Sequence, residues 1–209
     1  MALPDFKAPL LIEIGLAKEI TQKANGEIPD RPTGDKRRDL AAALLLVGAE
    51  HVMSILHLFE VGAISSGNAL MRPALESLYK AVWIATVAEV SQVEKAWSGK
   101  NVYGTFQKVI KDIETEHSAS GIGQLFAKVE PYRSTLNGMT HSGAEQFFLR
   151  LRSTNMREPS LEFSALVNTV RTLPAGLVLA LGAFIPQERM DMLQAFIVEK
   201  HPWAADSEL

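Results

Sequence analysis

The chain has 209 residues, a net charge of −3 and no cysteine. That length suits a single domain, read here as residues 1–209. The missing thiols exclude disulfides, thiolate metal sites and a cysteine nucleophile, and the acidic balance argues against bulk polyanion binding.

Apolar residues make up 47% of the chain but aromatics only 7%. Ala and Leu dominate that apolar set, which suits helices packed on helices better than a sheet rich in Val, Ile and Tyr. The opening MALPDFKAPL lacks a basic stretch followed by an apolar run, so no signal peptide is expected. Residues 40–59 are long enough to span a bilayer but carry Glu50, His51 and His57, which would be costly in lipid. A buried core helix, no membrane and a cytoplasmic location are the expectation.

Residues 7–24 predict a first helix with a broad apolar face, ended by Asn25-Gly26. Pro29 and Pro32 keep the next stretch extended, and Thr33 or Asp35 can cap a second helix over about 36–60. Leu40, Leu44, Val47, His51, Ile55 and Leu58 recur there at helical spacing. Gly62 and Ser65-Ser66-Gly67 mark a turn or weakened helix, and a third helix covers about 68–88. Pro73 predicts a kink near Arg72, or the true helix start. Short helices follow near 90–97 and 104–117, then a longer one over 124–141. Residues 145–157 alternate weakly and predict a short extended arm, at about 145–152, or a hairpin. A long apolar helix over 161–185, kinked at Pro174, and a last helix over 187–199 complete an all-α bundle of six to eight helices.

Three groups of residues carry chemical potential. Arg72 and Glu76 stand four apart, so on a helix they share a face and can pair. The pair either points into a cleft or is an ordinary surface ion pair. Arg133, Asn137 and His141 are also spaced by four. His141 would end its helix, where the dipole favours a protonated imidazole suited to acid–base work; the plainer role is a C-terminal cap. Lys128, Arg133, Arg150, Arg152 and Arg157 stand against Glu130 and Glu145, a local excess of three positive charges. Such a patch suits phosphate contacts, with Phe147 or Phe148 stacking on a base, or it is a solvated surface. His51, His57, His117 and His201 show no metal spacing, and no glycine-rich phosphate loop follows a strand, so neither metal nor cofactor is expected.

The stretches ALMRPALESLYKAVWI (69–84) and YRSTLNGMTHSGAEQF (132–147), with the helix DLAAALLLVGAEHVMSILHLF (39–59), resemble a group of bacterial all-helical proteins related in pattern to the HEPN superfamily. The resemblance implies a HEPN-like bundle with Arg and Glu on one core helix facing His at the end of another, and commonly a homodimer. Many HEPN proteins are metal-independent ribonucleases of toxin or phage-defence systems, with Arg four to six residues before His. Here those positions hold Asn137, Leu136 and Thr135, while Arg133 lies eight before His141. A nuclease would therefore use Arg72 or Arg133 to steady the phosphate, His141 to move the proton and Asn137 to orient a group, with Lys128, Arg150, Arg152 and Arg157 holding RNA. The other reading is a HEPN-like binding or regulatory module whose partner is a protein, RNA or a small ligand.

Overall fold

The computed structural model describes residues 7–117 and 163–200. Among them are seven helices and no strand: α1 (Lys7–Asn25), α2 (Lys36–Glu60), α3 (Ile64–Thr86), α4 (Val90–Trp97), α5 (Phe106–Glu116), α6 (Phe163–Gly182) and α7 (Gln187–Lys200). The expected all-α bundle is what forms. The 124–141 helix and the 145–152 arm lie outside the described residues.

The α2–α3 hairpin is the centre of the bundle, packed along most of its length. α1 and α6 lie together against α2, α6 also touches α3, α5 lies on α3, and α7 folds back on α6 and α1. One side of the core gathers Leu45, Leu78, Trp83, Leu177, Leu181 and Leu193; the other gathers Ile14, Val52, Ile55, Phe59 and Val170. Two helices, Lys36–Glu60 and Ala165–Gly182, are long and apolar enough to cross a membrane by length and composition. In this fold both take part in the core, α2 burying nine residues from Ala41 to Phe59.

Local chemistry explains the ends of α2. Of the two candidate caps, Asp35 does the work: its carboxylate accepts from the backbone N–H of Arg37 and of Arg38 at 2.9 and 3.2 Å. Thr33 instead donates, by N–H and Oγ1, to Asp39 at 2.8 Å each, and Gly34 N–H adds a third bond at 3.1 Å. The Thr33 backbone bond leads the causes that hold the Asp39 carboxyl below its ordinary value. The Arg37 guanidinium crosses to the far end of α3 and donates to the carbonyls of Ile84 and Ala88 at 2.7 and 2.6 Å. It thereby satisfies acceptors that a helix end leaves without partners. At the other end of α2, Lys18 from α1 donates to Glu60 at 2.6 Å and to His57 Nδ1 at 2.9 Å.

α3 departs from the sequence expectation. It begins at Ile64, not near residue 68, and the Ser65-Ser66-Gly67 cluster is its first turn. Gly62, with φ of 79°, makes the expected reversal. Gly67 serves a different purpose. A Cβ there would overlap the Phe59 ring, so glycine is what lets α3 lie against α2 at that point. Pro73 neither starts nor ends the helix, which runs on to Thr86. Pro174 likewise lies inside α6.

Candidate functional site

One face of α3 carries a line of polar side chains, and helical geometry puts it there. Arg72, Glu76 and Lys80 repeat at four residues, and Trp83 and Thr86 continue the same side of the helix. Arg72 Nε donates to Glu76 Oε1 at 2.7 Å, and Lys80 Nζ donates to Glu76 Oε2 at 3.3 Å. The three side chains are 27%, 23% and 28% exposed, so the i,i+4 pair forms in a part-buried setting. Burial acts to raise the Glu76 carboxyl, but the Arg72 hydrogen bond and the charge of Lys80 outweigh it and hold Glu76 below its ordinary 4.5. Glu76 is thus an ionised acceptor at neutral pH, with both oxygens engaged.

The line continues through aromatic rings to α5. Lys80 Nζ sits 5.3 Å above the centre of the Tyr103 ring, a cation–π distance. Tyr103 meets Trp83 edge-on with centroids 5.6 Å apart, and burial raises the Tyr103 hydroxyl above its ordinary value. Trp83 Nε1 donates to Asp112 Oδ2 at 3.1 Å, and Lys108 donates to that same oxygen. At the end of the face, Thr86 Oγ1 and His117 Nε2 lie 2.8 Å apart. Tyr79 packs edge-on against Phe106 beside the line, at 5.1 Å.

Of the residues proposed from sequence, Arg72 and Glu76 are brought together as expected. His141, Arg133, Asn137, Lys128, Arg150, Arg152 and Arg157 lie outside the described residues. Lys80, Tyr103, Asp112 and the Thr86–His117 contact were not anticipated. A signal existed for Lys80, which extends the i,i+4 spacing by one step, and for Trp83, whose buried indole N–H needs an acceptor. None existed for Asp112, 29 residues further on.

Arg72 gives Glu76 one nitrogen. Its two terminal amino groups make no other hydrogen bond among the described residues, so the guanidinium keeps donors for a second acceptor. No cluster of three His, Asp or Glu suited to a metal ion occurs among the described residues.

Residues 45–197 match a family of unknown function, DUF6988. The chain belongs to the DUF6988 family. No curated protein and no solved structure matches it significantly. The whole polar face, from Arg72 to His117, lies inside the DUF6988 region, whereas α1 and the first turns of α2 lie before it.

Proposed function

We propose that this chain is a HEPN-like binding or regulatory module that does no covalent chemistry, acting on a partner protein or RNA. The observation that supports the reading is the Arg72–Glu76–Lys80 triad. Its carboxylate is ionised and doubly occupied, and both cations are tied to it, so its partners are positioned to hold a shape rather than to exchange protons. The same reading places the chain in the cytoplasm as a homodimer, with α2 and α6 as core helices of a soluble bundle.

A second reading, a metal-independent ribonuclease, is favoured by the terminal nitrogens of Arg72, which meet no acceptor among the described residues and suit a phosphate. RNA incubation in the presence of EDTA separates the two. The module reading expects no cleavage by the wild type, and a His141→Ala variant destabilised by roughly 1–3 kcal/mol through stranded buried partners. EDTA-resistant cleavage that vanishes in His141→Ala, with an unshifted thermal midpoint, overturns it in favour of the nuclease.

A further inference from the structure

A groove of about 780 Å³ opens between the α1–α2 connection and the α6–α7 turn. Its size is in the range of sites for small organic ligands. Ile28, Pro29, Leu46, Ile185 and Pro186 give it apolar walls. Ile28 and Ile185 are buried core residues, so this wall is part of the packed interior.

Four charged residues border the groove, and they are not equivalent. Arg189 and Glu27 neutralise one another across a 3.1 Å ion pair. That pair also borders a second cavity of about 330 Å³ lined by Lys23, Met192, Leu193 and Phe196, so a single exposed ion pair is common to both spaces. Arg38 is different. Its guanidinium lies 5.3 Å from the centre of the Phe184 ring and meets no carboxylate within ion-pair distance among the described residues, although its charge adds to what holds the neighbouring Asp39 carboxyl low. A planar cation held over a ring keeps its edge donors outward and in a fixed plane. Asp30 is the remaining charge on the lining, and it disfavours a ligand with a second acid group.

From this arrangement we infer that the groove binds a small amphipathic monoacid, its carboxylate on Arg38 and its apolar body along Leu46, Pro29 and Ile185. Residues 25–30 and Arg38 precede the DUF6988 region, while Leu46 and residues 185–189 lie within it. The site is therefore assembled by this chain's N-terminal part against the shared bundle. It uses no residue of the α3 polar face, so it stands or falls separately from the reading given above.

The test is calorimetric titration of the full-length protein with decanoate, decyl phosphate and decylamine, each below its micellar concentration. Decanoate is expected to bind saturably at one site per chain, with decyl phosphate at least several-fold weaker and decylamine not binding. Arg38→Gln is expected to weaken decanoate at least tenfold. The variant should fold normally, because the Asp35 cap uses only the backbone N–H of Arg38. Its thermal midpoint, measured alongside, is expected to fall only slightly, through loss of the Phe184 contact. Lys111→Gln, at an exposed position on α5 away from the lining, is the control expected to leave decanoate binding alone. No saturable decanoate binding overturns the inference, as does decylamine binding as tightly, decyl phosphate binding more tightly, or decanoate binding that Arg38→Gln leaves intact.

Discussion

Glu76 shows how one carboxylate organises a helix face. It accepts from Arg72 on one side and Lys80 on the other, and these bonds hold its pKa below 4.5 against the opposing effect of burial. A group whose folded pKa is depressed stabilises the fold above its unfolded pKa, and that contribution is lost as pH falls through the folded value. Glu76→Gln is accordingly expected to cost about 1 kcal/mol at pH 7, an amount moderated by partial solvent screening. The gap between wild type and variant should begin to close as pH falls below the unfolded value near 4.5, and vanish only once pH is below the lowered folded value. Urea unfolding at several pH values reads this directly; a gap that persists undiminished at pH 3 would show that Glu76 acts by packing and not by charge. Arg72 and Glu76 were legible in the sequence because i,i+4 spacing is a local property. Asp112 was not, since its role depends on where α5 settles against Trp83.

Two glycines show how far helix propensity carries at the level of elements. Gly67 and Gly176 both lie inside helices, where glycine costs about 1 kcal/mol relative to alanine. Their surroundings give opposite expectations. Gly67→Ala forces a methyl group into the buried Phe59 ring and should destabilise by about 1–3 kcal/mol. Gly176→Ala meets nothing nearer than Leu78 Cδ1 at 3.8 Å and should stabilise by up to about 1 kcal/mol. Thermal midpoints moving in opposite directions would verify both; a stable Gly67→Ala variant would mean the hairpin is packed more loosely than the Phe59 contact requires. The same contrast explains the sequence errors. Gly62 and Ser65-Ser66-Gly67 read as a turn or weakened helix because local chemistry is all a sequence shows; the turn falls at Gly62, and the cluster, with Gly67 packed against Phe59, is helix. Pro73 reads as a kink or a start for the same reason, and a helix that runs from Ile64 to Thr86 excludes the start. An interior proline costs about 3 kcal/mol in an isolated helix, yet Ala74, Leu78 and Val82 bury on the same helix and offset it. The ends of α1, α2 and α7 were legible because Asn25-Gly26, Asp35 and Pro186 act on their own neighbours.

The whole molecule depends on a segment outside its family region. α1 buries Ile14, Ala17, Ile20 and Ala24, and its Glu13 takes two hydrogen bonds from Arg171 of α6. Losing a buried isoleucine alone costs roughly 2–5 kcal/mol, and a domain has only about 5–15 kcal/mol in reserve. A chain starting at residue 34 is therefore expected to be unfolded or insoluble, although the family match begins only at residue 45. Circular dichroism and solubility on that truncation decide the point; a cooperative unfolding transition from it would show that α1 is dispensable. The Arg37 contacts to Ile84 and Ala88 bear on time as well as on stability. They close the open ends of the α2–α3 hairpin, whose two helices are neighbours along the chain and need only a three-residue reversal to meet. Contacts between sequence neighbours form fastest, so this hairpin should be the first part of the molecule to assemble and the last to release its amide protons to deuterium, with α1 and α6 condensing on it afterwards.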